Sequence, residues 1–187
     1  MKNNKFFYEY YNNLTKLLFY KSQENTFKDL DQVSKKILAT KKKNKVIIIG
    51  NGGSAAIASH FAIDLCKNTS LVAQCFNDSS LITCLANDYG YENWVKEAIS
   101  FYGKKGDVLL AISSSGNSKN ILNGCKEAKK KNFSSIITFS GFNGNNKLRK
   151  IGDINMWVDS SVYNIVENIH QIWLLSVIDF IKNDYEN

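Results

Sequence analysis

Five short apolar runs alternate with helix-length amphipathic segments, and this alternation constrains the fold more than any other feature of the chain. The runs at 45–49, 71–76, 107–112, 135–140 and 154–158 have the length and composition of strands. Segments 54–67, 92–102, 118–131 and 163–182 carry apolar residues at helical spacing. Strands separated by helices predict a parallel sheet with helices on both faces, an α/β protein. Two further amphipathic helices are expected ahead of the first strand. One spans 4–21, with Phe6, Phe7, Tyr10, Leu14, Leu17 and Leu18 on one face. The other spans 25–41, with Phe27, Leu30, Val33, Ile37 and Leu38. The stretch NDSSLITCLANDYG is expected to be a loop with a short helical segment, and GFNGNNKLRK a loop or short helix. No linker or repeat interrupts the pattern. The chain is expected to be a single domain over 1–187, with 1–43 as a helical pair and 44–187 as the α/β core.

Composition narrows the partners. The 187 residues suffice for one domain with a real core. Hydrophobic residues at 44% and charged residues at 22% are ordinary for a globular chain. The net charge of +7 admits nucleic acid, an anionic surface or acidic small ligands as partners. The lysines are spread along the chain, and the dense clusters Lys41-Lys42-Lys43 and Lys129-Lys130-Lys131 fall at expected helix ends. Lysine there suits the helix dipole, so charge does not single out nucleic acid. Cys66, Cys75, Cys84 and Cys125 show no C-x-x-C pair and no zinc-finger spacing. They lie in apolar segments and are expected to be buried free thiols. The opening MKNNKFFYEYYNN has no long apolar region, and no stretch reaches the length of a membrane span. A cytoplasmic location without membrane association is expected.

Two turns carry the chemistry. In KVIIIGNGGSAAIASHF, the first strand runs into Gly50-Asn51-Gly52-Gly53-Ser54 and a helix. Gly50, Gly52 and Ala55 fit the G-x-G-x-x-G/A spacing of a dinucleotide-binding turn. That fingerprint calls for an acidic residue about 20 positions on, at the end of the second strand. The region reads Gln74-Cys75-Phe76-Asn77, and Asp78 comes late. The Walker pattern is absent as well, so no nucleotide cofactor is expected. In LLAISSSGNSKNIL, the third strand runs into Ser113, Ser114, Ser115, Gly116, Asn117 and Ser118, and a helix follows. Four hydroxyls beside the free N–H groups of a helix start suit a phosphate monoester. Plain capping accounts for one serine, at or near Ser118, and not for four.

The pair GNGGSAA…HF and ISSSGNS resembles the sugar isomerase (SIS) domain family. Together with LANDYG, the two N-terminal helices and the closing helix, it is similar to the phosphoheptose isomerase branch. The resemblance implies a three-layer α/β/α sandwich with a five-stranded parallel sheet, two extra N-terminal helices and a long C-terminal helix. It also implies a homotetramer built with the 1–43 helices and with sites at subunit interfaces, and it allows for zinc. The implied activity interconverts sedoheptulose 7-phosphate and a heptose 7-phosphate, feeding surface polysaccharide synthesis such as lipopolysaccharide or capsule. Carried over by position, Ser113, Ser114, Ser115 and Ser118 hold the phosphate. Asn51, Gly52, Gly53 and Ser54 line the sugar chain, and Asp88 contacts its hydroxyls.

The chain departs from the family pattern at the reacting groups. Isomerisation needs a base beside the carbonyl and an acid for the oxygens. Where the family has a glutamate four residues after the His60 position, this chain has Asp64, on the same helix face. On the closing helix Glu167 stands where glutamine is usual, and Leu175 where a catalytic histidine is usual. His60 and His170 are the only histidines. One reading makes Asp64 or Glu167 the base, with His170 or a metal-bound water as acid, and His60, Asp64 and Glu167 as a three-ligand zinc site. A second reading is a SIS module that has lost isomerisation and binds a sugar phosphate or a protein partner, as the replication-initiator-binding branch member does. A third keeps the enzyme on a different phosphosugar, with Tyr163, Asn164 and Trp173 near the site.

Overall fold

Strands separated by helices can pair only in parallel when every crossover carries the chain back to the same end of the sheet. The computed structural model, which describes residues 2–19, 22–41 and 43–186, has that arrangement throughout. Its helices are α1 (Lys2–Leu18), α2 (Gln23–Leu38), α3 (Gly53–Asn68), α4 (Ser79–Tyr89), α5 (Trp94–Tyr102), α6 (Lys119–Lys130) and α7 (Tyr163–Glu186). Its strands are β1 (Val46–Ile49), β2 (Ala73–Cys75), β3 (Val108–Ser113), β4 (Ser135–Ser140) and β5 (Ile154–Trp157). They form one five-stranded sheet in the order β2-β1-β3-β4-β5, all parallel.

Alternation along the strands builds two cores. Val46, Ile48, Val108, Leu110, Ile137 and Phe139 point to one face and pack under α2, α3 and α7. Ile47, Ile49, Leu109, Ala111 and Ile136 point to the other and pack under α5 and α6, with Leu85 of α4. The result is the expected α/β/α sandwich. α1 lies over α7, where the buried Trp173 indole N–H donates to the Leu18 carbonyl at 3.0 Å. The opposite side of α1 leaves Phe7, Tyr8 and Tyr11 exposed.

Several expectations shift. Residues 20 and 21, expected to end the first helix, lie outside the described residues, as does Lys42 of the first lysine cluster. The segment expected to be mostly loop is the three-turn helix α4. Asp78 starts it as its N-cap: its carboxylate accepts the Leu81 N–H at 2.9 Å. GFNGNNKLRK is turn and loop. Only Cys125 is a buried thiol, and burial pushes it up to about 12. Cys66 and Cys84 are exposed and Cys75 is half-buried, because their helix and strand faces meet solvent rather than the core.

At the amino ends of the strands one buried carboxylate ties loops together. Asp107 accepts from Lys45 Nζ at 2.9 Å, from the Lys45 N–H at 3.0 Å, from the Lys104 N–H at 2.9 Å and from Asn44 at 3.2 Å. Burial alone raises a carboxyl group, but these donors outweigh it and hold Asp107 below the ordinary carboxylate range. The stabilisation is therefore full above that range and is lost as the pH falls through it. Asp107→Ala leaves a half-enclosed ammonium and two backbone N–H groups without their acceptor. Urea unfolding is expected to show a loss of about 3 kcal/mol at neutral pH. A loss under about 0.5 kcal/mol, the range of ordinary surface changes, would contradict this account.

Candidate functional site

β1 and β3 are sequence-distant but paired neighbours, with Ile49 opposite Ala111. From β1 the chain crosses to β2 on one side, while β3 leads on to β4 and β5 on the other. In open sheets of this order the crevice beyond the strand ends at such a reversal is where ligands bind. The two turns singled out in the sequence lie at this point. They enclose a cavity of about 290 Å³ lined by Asn51, Gly52, Gly53 and Ser54 on one side and by Ser113, Ser114, Ser115 and Ser118 on the other. Ile112, Tyr163 and Glu167 complete it.

The turns have the local chemistry of an anion site. α3 and α6 both start here, and neither N-cap, Gly52 or Ser118, makes a side-chain capping bond. Ser118 instead accepts from Ser113 Oγ at 3.1 Å, so its hydroxyl faces the other serines rather than its own helix. Two positive helix ends thus open on one crevice. Gly52 has φ +55°, which side-chain-bearing residues rarely adopt. The serine turn is supported from behind by the 141–150 loop. Gly141 N–H donates to the Ser114 carbonyl at 2.8 Å and Leu148 N–H to the Gly116 carbonyl at 2.9 Å.

α7 brings in the acid. The Glu167 carboxylate lies against the backbone of Gly53, and a Cβ there would meet it and push the carboxylate aside. Ser114 Oγ reaches Glu167 Oε1 at 3.5 Å. Glu167 therefore sits at the start of α3, across the crevice from the start of α6.

His170, one turn further along α7, was one candidate for the acid, with a structural histidine as the alternative. The structure corrects the acid assignment. His170 is 0% exposed and does not line the cavity. Its Nε2 lies 3.1 Å from the Ser140 carbonyl. A carbonyl only accepts, so Nε2 carries the proton, and Nδ1 is buried with no hydrogen-bond partner. Phe139 and Trp173 pack around the ring. Burial pushes the imidazole down to about 4, only partly offset by the Ser140 bond. His170 braces α7 on β4 and so steadies Glu167 above Gly53.

The other expected groups are not brought together in one chain. His60 Nε2 and Asp64 Oδ2 pair at 3.2 Å on the outer side of α3, away from the cavity lining. Asp88 is exposed on α4, held by the neighbouring Asn87 amide at 2.9 Å. Among the described residues no three His, Cys, Asp or Glu side chains gather to hold a metal ion. The set His60, Asp64 and Glu167 does not fit zinc within a single chain, because Glu167 belongs to the crevice and the other two do not. Leu175 is half-buried against the core, and Trp173 is a core residue, not a site residue. Tyr163 does line the cavity. Sequence reasoning missed Asn120, which is buried and bonded to Asn51, and Tyr91, whose hydroxyl reaches Asn51 at 3.3 Å.

Fold and crevice define a doubly wound α/β protein with a serine-lined crevice and one carboxylate facing it. A SIS domain family model matches residues 9–140. A "Probable phosphoheptose isomerase" of Thermoplasma acidophilum is 40% identical over 134 residues, 68% of this chain and 72% of that one. The phosphoheptose isomerase of Cytophaga hutchinsonii is 38% identical over 139 residues, 72% of this chain and 70% of that one. The solved phosphoheptose isomerase GmhA from Neisseria gonorrhoeae superposes with a TM-score of 0.85 at 26% identity, covering 96% of this chain and 97% of that one. The chain belongs to the SIS domain family and, within it, to the phosphoheptose isomerases.

The buried imidazole gives a test of the placement. The unfolded chain takes up a proton at His170 near 6.5 that the folded chain refuses until about 4. Stability is therefore expected to fall as the pH drops from about 6.5, by up to roughly 1.4 kcal/mol per pH unit from this group. Urea unfolding between pH 7 and 5 reads it, and His170→Gln flattens the profile. An equal slope in that variant would show that His170 is not the buried neutral group described.

Proposed function

We propose that the protein is a sugar-phosphate isomerase that interconverts sedoheptulose 7-phosphate and a heptose 7-phosphate. The observation that carries this reading is the Glu167 carboxylate facing the same cavity as the four serines. The names of the relatives agree with it.

The phosphate monoester sits among Ser113, Ser114, Ser115 and Ser118 at the start of α6, where hydroxyls, N–H groups and dipole all favour an anion. The sugar chain then runs along the 51–54 turn. Aldose–ketose isomerisation moves one proton between adjacent carbons and another between their oxygens. One carboxylate can serve both carbons: Glu167 takes the proton from the first and returns it to the second. The oxygens exchange their proton with a protic group of the lining, and Tyr163 offers a phenol there. This assignment chooses Glu167 over Asp64 as base, because Asp64 is paired with His60 outside the cavity of its own chain.

His60, Asp64 and Asp88 do not line this chain's cavity. We infer a homotetramer in which they reach the substrate bound by a neighbouring copy. The exposed aromatic side of α1 and an apolar groove formed by Phe27, Leu30, Val177 and Phe180 support assembly with further copies of the chain. Synthesis of heptose for surface polysaccharide in the cytoplasm is the corresponding cellular role. No helix among the described residues is long and apolar enough to cross a membrane. A binding module without turnover is the second reading, favoured by the aliphatic Leu175 at the position of the family's histidine.

Purified protein is expected to convert sedoheptulose 7-phosphate in a panel of C5–C7 sugar phosphates. Glu167→Gln is expected to lower kcat by at least about 100-fold, the usual contribution of a proton-transfer group. Full turnover in that variant would remove Glu167 from the mechanism, and sugar-phosphate binding by an inactive wild type would establish the second reading. Light scattering is expected to show a tetramer, and a monomer would leave His60, Asp64 and Asp88 without a role at the site.

A further inference from the structure

Two side-chain amides join the turn after β1 to the start of α6. Asn51 Nδ2 donates to Asn120 Oδ1 at 2.9 Å, and Asn120 Nδ2 donates back to Asn51 Oδ1 at 2.8 Å. Such a pair alone can be drawn with oxygen and nitrogen exchanged on both residues. A third bond removes that freedom. The Ile121 backbone N–H lies 3.0 Å from Asn120 Oδ1, and a backbone N–H only donates. The Asn120 atom facing it is oxygen. Asn51 must then turn its nitrogen to that oxygen and its own oxygen to the Asn120 nitrogen. The Tyr91 hydroxyl also donates to Asn51 Oδ1, at 3.3 Å. The Asn51 oxygen is thus occupied twice, and one Nδ2 proton remains. Asn51 is among the residues lining the cavity, and the one group its side-chain amide leaves unbonded is an N–H and not a carbonyl.

We propose that Asn120 is a positioning residue that locks Asn51 as an N–H donor to an oxygen of the bound sugar phosphate. The inference rests on the phosphosugar reading above. A donor fixed beforehand beside an oxygen that gains negative charge stabilises that charge without reorganising. Asn120 is 2% exposed and does not line this cavity, though it lines an adjoining one with Asn51, Tyr91 and Ser118; its bonds to Asn51 are its link to the site. The lock spans the turns after β1 and β3, the two walls of the crevice. It leaves the serine hydroxyls untouched and so separates orientation of the sugar from capture of the phosphate.

A double-mutant cycle on sedoheptulose 7-phosphate turnover tests it. Asn120→Ala is expected to lower kcat by about 10- to 100-fold, the range for a misplaced or missing donor, with competitive inhibition by inorganic phosphate unchanged. Asn51→Ala loses a similar factor. The double variant is no slower than Asn51→Ala alone, because Asn120 has no separate path to the substrate. Multiplying losses, or wild-type kcat in Asn120→Ala, would overturn the proposal. So would weakened phosphate inhibition in step with kcat, which marks a merely structural role. If the alanine variant does not fold, Asn120→Asp keeps the shape and the acceptor, lacks the return donor, and is expected to show the kcat loss. Should the wild type bind the sugar phosphate without turnover, the isomerase reading fails and this one is still read by NMR. The Asn51 side-chain amide resonance shifts on adding sedoheptulose 7-phosphate to wild type and loses that shift in Asn120→Ala; an unshifted wild-type resonance refutes the lock.

Discussion

The parallel pairing of β1 with β3 is the constraint on which the rest depends. Placing Ile49 beside Ala111 brings the ends of two sequence-distant strands together and aims both following turns at one space. Because the chain leaves β1 and β3 toward opposite halves of the sheet, the helices that follow diverge and leave a crevice. Without that pairing the serine turn is only a helix start and the glycine turn only a tight bend. With it, two uncapped helix ends share one cavity.

Those two helix ends organise the electrostatics of the site. The start of α3 faces the Glu167 carboxylate, and the start of α6 faces the place proposed for the phosphate. Each positive end has its own negative partner, so a base and an anionic ligand can share a small volume. The arrangement holds because α7 cannot drift. His170 is buried against the end of β4 one turn from Glu167, and the pairing of Ser113 with Ser140 carries that brace to the serine turn itself. A residue that looks catalytic by type serves here by packing.

Much of this was legible from local pattern. Apolar runs bounded by turns marked the strands, and the serine and glycine turns marked the crevice before any partner was known. What local pattern missed has identifiable causes. α4 was under-read because only Leu85 among its apolar residues is buried, so they do not gather into one clear buried stripe. The cysteines were placed inside by residue type, although the faces that carry Cys66 and Cys84 meet solvent. His170 and Glu167 lie within one turn of each other, and helical spacing alone cannot say which of them faces the crevice and which the core.

The sequence by itself determined the class of fold, the order of its elements and the two distinctive turns after β1 and β3, because these follow from periodicity and from residues a few positions apart. Only the tertiary structure decided which groups meet. It set Glu167 over Gly53, turned His170 inward, left His60 and Asp64 outside their own chain's cavity, and joined Asn51 to Asn120. Each of those outcomes depends on how helices far apart in sequence rotate and settle on a shared sheet. That rotation is fixed by packing across the whole core, which no short stretch of sequence contains.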